Sequence, residues 1–356
     1  MRTYNYLSNE LPRELIEIYN DVQNDILRIM VKELKKGTSP DKVLVMVMDK
    51  ISSYDKKIQE VLAVIFADAK NKSVKDGQRE FKEEEKEPVT NKEANSIIEP
   101  MLLTAILATK TLNKKIVNNA YIEYATDYSY VVQPFTKLSK GDDRLNTIYR
   151  NLADKGVTIY ESYGGGKSKN YTIENLLRRD VMYKVNQANS AVNMENFKKS
   201  SAKFIEVSSH PTARTWNKYM KHPYEDHSSW QGKVYYSREG EPVAGYEEFE
   251  STCGYGELLG IGGINCYHQF AMNYDGESVA TKYSKKEVEK QYALSQQQRQ
   301  YERAIRQLKQ AYTVYDEAGD AKMASAINKN ITMAKSRLKE FCNKNNLKYY
   351  NWRTKL

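Results

Sequence analysis

Histidine and cysteine carry most of the chemistry open to this chain, and they gather in one place. All four histidines, His210, His222, His227 and His268, fall between residues 203 and 273, together with Cys253 and Cys266. In GIGGINCYHQF, residues 260–270, Cys266 and His268 stand one residue apart inside a run of glycines. Thiolate and imidazole are zinc ligands, so His210, His227, Cys266 and His268 could converge on one ion, although their intervals match no standard finger. A histidine could instead activate Cys266 as a nucleophile, or the histidines could serve a nuclease, but no acidic partner stands at a telling interval and no catalytic signature is complete. In the third reading the segment is a folded corner. Gly260, Gly262 and Gly263 turn the backbone tightly, Asn265 hydrogen-bonds across the turn and Cys266 packs as a small apolar group. That structural reading is the expectation carried forward: no catalytic residue, no cofactor and no metal, with zinc at those four residues as the alternative.

Other groups invite chemistry less firmly. GGGKS at 164–168 suggests a phosphate loop, yet the Walker spacing requires glycine at position 161, which is Glu161, so a turn is expected. Arg303, Arg306 and Lys309 lie on adjacent turns of one helical segment and could touch phosphates, or form an ordinary solvated face. Trp216 and Trp230 read as core or interface anchors.

The frame that must position these residues is long enough for two or three folding units, at 356 residues, and its 40% apolar and 28% charged content is that of a folded chain. No window approaches the roughly 18 uninterrupted apolar residues of a membrane span, and the N-terminus lacks the apolar core of a signal peptide; synthesis and use inside a cell are expected. Three widely spread cysteines suggest reduced thiols. The charge of +9 is uneven: residues 281–356 hold 17 Lys and Arg against 7 Asp and Glu, a basic region suited to a polyanion.

Helical periodicity runs through Leu15, Ile18, Tyr19, Val22, Ile26, Ile29 and Met30, and a second helix is expected to open at Ser39 and Pro40. Residues 70–92 hold almost no apolar side chains and read as an exposed loop or charged linker, including the run from Glu83 to Glu87. Helix is expected again over 94–122 and before Gly156, then a short strand at Val157 and Ile159. A helix capped by Thr172 follows, with Ile173, Leu176, Leu177, Val181, Val185 and Ala188 on one face. KFIEVSS and KVYYS read as strands. A capping box, Ser284 to Glu287, opens a helix ended by Gly319, and the next carries Met323, Ile327, Ile331, Ala334, Leu338 and Phe341 on one side. The fold expected is α+β and predominantly helical: a helical region at 1–92, a mixed domain at 93–283, and a basic helical hairpin at 284–356.

Several segments together carry a resemblance. SSHPTAR at 208–214, HSSWQGKVYYS at 227–237, CGYGELLGIGGINCYH at 253–268 and QYERAIRQLKQ at 300–310 resemble the phage minor capsid protein 2 family in order and approximate separation. So do ELIEIYNDVQNDIL, TLNKKIVNNAY and ENLLRRDV. The Asn-Cys-x-His cluster is also similar to the Asn-Cys-Arg-Cys ending of Mu F-like head morphogenesis proteins. The motif residues are His210, Arg214, His227, Trp230, Gln231, Gly232, Lys233, Gly254, Tyr255, Gly256, Gly263, Asn265, Cys266 and His268. Departures fall at Thr212, Cys253, Tyr267 and Met272, where the family usually has Gly, Thr, Arg and a nearby Pro.

The resemblance implies a structural protein of a tailed phage, made in the bacterial cytoplasm and carried in the virion at the portal vertex or inner capsid. It would act in head assembly or genome delivery, with the portal protein or major capsid protein and packaged DNA as partners and no membrane. The alternatives are a virion-associated enzyme or toxin-like effector using the Cys and His cluster, and a nonspecific DNA-binding protein working through its basic hairpin.

Overall fold

The structure, a computed structural model, describes residues 13–81, 87–132, 143–163 and 167–355. In chain order its elements are helices α1 (Arg13–Lys36), α2 (Pro40–Glu80), α3 (Asn91–Val132) and α4 (Asp143–Lys155), then strands β1 (Thr158–Tyr163) and β2 (Lys167–Thr172). Helix α5 (Ile173–Leu177) passes through a π-helical turn, Arg178–Met182, into α6 (Tyr183–Lys199). There follow β3 (Phe204–Val207), α7 (His227–Trp230), β4 (Val234–Tyr236), α8 (Phe249–Cys253) and β5 (Phe270–Asn273), and finally α9 (Lys285–Ala318) and α10 (Ala321–Lys344). The class is the expected α+β, predominantly helical.

Local signals account for many of these boundaries. Glu287 and Ser284 exchange hydrogen bonds in the expected capping box, and Thr90 and Glu93 form a second one at the start of α3. Thr172 Oγ1 accepts from the Asn175 amide, as expected of a cap. Gly319, at φ 77°, closes α9. The stripe of α1 is buried except for Ile29, and the stripe from Ile173 to Ala188 is buried throughout. On α10, Met323 is exposed, and Ala324 and Cys342 take inward places beside Ile327, Ile331 and Leu338.

Two compact units emerge, each assembled from separate stretches of chain. One contains Glu60–Ala108 and Arg178–Ser295; the other contains Arg13–Gln59, Thr109–Leu177 and Gln296–Leu356. This differs from the contiguous division at 1–92, 93–283 and 284–356. Helices of 41, 42 and 34 residues outrun a single core at about 1.5 Å per residue, so α2, α3 and α9 each serve both units. Residues 70–80, expected as part of a loop, are instead the last turns of α2. Their inward face is made of Ser73, Val74 and Gly77, small residues that hide a buried surface from an apolar count. The turn expected at 164–166 and most of the acidic run at 83–87 lie outside the described residues. Lys167 and Ser168 belong to β2, which pairs antiparallel with β1. A phosphate loop would lead into a helix instead.

The first unit holds a three-stranded antiparallel sheet in the order β4-β3-β5. β5 was not anticipated, because FAMN is short and carries no turn signal. Ile205 on β3 faces Tyr235 and Met272 in register. Every residue of β3 is buried: Ile205 and Val207 join the core with Trp230, Phe249, Ile261 and Phe270, while Phe204 and Glu206 alternate to the other face. There Tyr246 packs on Phe204, and Glu206 accepts from Ser278 Oγ and the Val279 and Ala280 amides, pinning the chain that covers the sheet.

Candidate functional site

The motif residues converge beside this sheet. His227 is the first residue of α7, whose start is capped by Asp226 accepting from the Ser228 amide. Trp230 ends that helix, buried, with its indole N–H donated to Tyr224 O at 2.9 Å. His268 precedes β5. Ring centroids stand 4.6 Å apart for His227 and Trp230, 4.8 Å for Trp230 and His268, and 5.4 Å for the two histidines.

Hydrogen bonds fix the protonation of these rings. His227 Nε2 lies 2.9 Å from Leu259 O, which can only accept, so Nε2 carries the proton. Gln231 Oε1 accepts the His210 amide at 2.7 Å and stands 3.0 Å from His268 Nε2, which is therefore also protonated. The unprotonated Nδ1 of His268 faces Cys266 Sγ at 3.6 Å, a thiol-to-imidazole hydrogen bond. Burial, reinforced by the Arg214 cation, pushes His227 down to about 3. Burial together with His227, His210 and Arg214 holds His268 well below the usual imidazole range. Burial also raises the Cys266 thiol. The cluster is thus neutral: two imidazoles and a thiol closed off from water, without the thiolate that a nucleophile needs.

The loop between α8 and β5 wraps this cluster by bonding to itself. The Ile261 amide donates to Cys253 O at 2.8 Å, Ile264 to Leu258 O at 2.8 Å and Cys266 to Gly263 O at 3.1 Å. At Gly260 the backbone packs so closely that a Cβ would stand 2.0 Å from Gly254 O. Asn265 is exposed and contributes its backbone, in the left-handed region at φ 55°. It does not act as the expected cross-turn hydrogen-bonding group. That role belongs to α6, where Gln187 Nε2 donates to Gly262 O at 3.1 Å and Asn186 Nδ2 reaches Gly263 O and Cys266 O, each at 3.4 Å. Arg214 braces the far side with bonds to Leu259 O at 3.1 Å and Ile264 O at 2.5 Å.

The remaining motif residues act mostly through shape. Gly232 and Lys233 bond through their backbones to Val207, extending the β3–β4 pairing, while the Lys233 side chain is exposed. Gly254 caps α8 in the left-handed region, Gly256 turns the chain at φ 88°, and the Tyr255 ring packs on Phe249 and Phe270. Of the four residues weighed as zinc ligands, His227, Cys266 and His268 come together, with one donor atom from each lying within 4.8 Å of the others. His210 stands aside: its Nδ1 receives the Thr212 amide at 3.1 Å and its ring stacks on Tyr267. His222 stacks on Tyr224, and Trp216 is exposed. In the other unit Arg303 is exposed and Lys309 half-buried, whereas Arg306 turns inward to an ion pair with Glu174 at 3.0 Å.

The amide stripe of α6 was overlooked in the sequence. Asn186, Asn189, Asn193 and Asn196 recur at three and four residues, and polar residues at that spacing read as a solvated face. Here they face inward and meet backbone groups and Ser73.

A family model described as "Phage minor capsid protein 2" matches residues 5–343. A protein of Lactococcus phage LL-H, described as "Structural protein", is 31% identical over 94 residues, 26% of this chain and 25% of that protein. The match therefore spans about a quarter of the relative's length. No solved structure matches.

Proposed function

The chain belongs to the phage minor capsid protein 2 family, which makes it a structural phage protein of the virion, and from that membership we propose that it is a minor head component at the portal vertex or inner capsid wall. It contacts the portal protein or the major capsid protein and acts, without catalysis, in head assembly or genome delivery. The observation that carries this reading is the family match over residues 5–343, nearly the whole chain.

The physics of the motif region supports it. The most chemically suggestive side chains are buried and neutral, and the loop around them is tied down by its own backbone and by Asn186, Gln187 and Arg214. A residue set arranged in this way keeps a surface in shape. Exposed apolar side chains on long helices, Leu103 and Leu107 on α3 and Val45, Met46 and Met48 on α2, supply contacts of the kind that partner helices bury. The test is a reconstruction of the intact virion joined to peptide identification of its proteins. Density for the chain at the portal vertex or inner wall is expected. Its absence from purified particles, or its location on the tail, sinks the reading.

A second role in the same particle is nonspecific contact with packaged DNA through α9 and α10. Lys322, Lys329, Arg337, Lys339 and Lys344 are all exposed along α10, in the part of the chain that carries the excess positive charge.

A further inference from the structure

We propose that His227, Cys266 and His268 form a zinc site in which a single Zn²⁺ holds the motif loop to α7. Sulfur and imidazole nitrogen are the donors that this borderline ion selects. One atom from each of the three side chains already lies within 4.8 Å of the others, and the Cys266 Sγ to His268 Nδ1 separation of 3.6 Å is the spacing of two ligands on one tetrahedral ion. The surroundings match a metal site as well. A zinc-binding histidine donates its second ring N–H to an oxygen that fixes tautomer and orientation. Both histidines do so here, His227 through Nε2 to Leu259 O and His268 through Nε2 to Gln231 Oε1. Each therefore keeps Nδ1 unprotonated and able to ligate.

Arg214, bonded to Leu259 O and Ile264 O, holds the loop that carries Cys266 in place beside α7. Uptake exchanges the Cys266 thiol proton for the ion, so one proton is released per zinc and no electron moves. The thiol-to-imidazole hydrogen bond is the contact that the ion replaces, and the three protein donors fill three of its four tetrahedral positions. His210 lies outside the set: its donor atoms are not among those that cluster, and because its Nδ1 accepts the Thr212 amide the ring proton sits on Nε2.

The experiment uses the full chain, purified without a histidine tag, loaded with Zn²⁺ or Co²⁺ and dialysed against metal-free buffer. One equivalent of retained metal is expected. X-ray absorption of the zinc form should show one sulfur at about 2.3 Å and nitrogen at about 2.0–2.1 Å, a readout that needs no variant. The Co²⁺ form should show a thiolate charge-transfer band that is lost in Cys266→Ser and kept in His210→Ala. Gln231→Met, which removes the acceptor behind His268, should weaken binding about tenfold to a hundredfold while circular dichroism stays unchanged. Failure to retain a stoichiometric ion, a coordination shell without sulfur, or loss of the ion in His210→Ala overturns the proposal. Retention of another metal in preference to zinc overturns the choice of ion.

Discussion

Gly260 and Gly256 sit four residues apart in one loop and separate two reasons for glycine. Gly256 needs only its left-handed φ of 88°, since nothing lies within 4 Å of where a Cβ would stand. Gly260 is held by crowding, with Gly254 O 2.0 Å from that point. Gly256→Ala should therefore cost about 1 kcal/mol in urea unfolding, while Gly260→Ala should cost several times more and release amide-exchange protection at Ile261. Equal costs would show that conformation alone governs the loop. Glu123 illustrates burial without full pairing. Burial raises its carboxyl to about 7, although Thr158 bonds to one oxygen; the other oxygen is buried without a partner. Its folded value lies above the ordinary 4.5, so the folded state binds the proton more tightly. Its contribution to stability is full below about 4.5 and lost as pH rises towards 7. Glu123→Gln should abolish that loss and stabilise the chain at pH 8 by on the order of 1–2 kcal/mol, seen as a flatter Tm-against-pH curve.

At the scale of elements, α6 organises the motif region by its amide side chains. Asn196 accepts the Val89 amide at 2.8 Å, and its side chain lies where a Cβ on Gly77 would fall, 2.4 Å from Nδ2. Gly77 is thus the place where α2 comes close to α6. Gly77→Ala should destabilise strongly in the wild-type chain and much less in an Asn196→Ala background. A double-mutant cycle in chemical denaturation should return a coupling of about 1–3 kcal/mol. Additive losses would mean that the two helices can separate without cost. The sequence showed Gly77 and the asparagine stripe openly. Spacing alone does not say that a glycine marks a close approach or that an amide turns inward, because both depend on what lies opposite.

Across the whole molecule, the compact units cut through α2, α3 and α9, so neither unit is a continuous piece of chain. The basic region survives as a chemical feature of α9 and α10, but its members differ: Arg306 on α9 is paired with Glu174, whereas Lys322, Lys329 and Arg337 on α10 face solvent. Replacing those three by Gln should lower the slope of log K against log salt for nonspecific duplex DNA by up to about 3 in magnitude. Arg306→Gln should leave the slope unchanged and lower Tm. A slope that ignores the triple substitution would remove DNA contact from this face.

What the sequence determined by itself is whatever depends on neighbours in the chain. The helical stripes of α1 and of α5 through α6, the capping box at Ser284 and Glu287, the stop at Gly319 and the motif order that marks the family all follow from local spacing. The tertiary structure alone decided which polar groups turn inward, because a buried amide or imidazole is chosen by the carbonyls it must satisfy, and those come from distant segments. That is why His227, Cys266 and His268 close together while His210 is diverted to Thr212, and why the loop's carbonyls are answered by Asn186, Gln187 and Arg214.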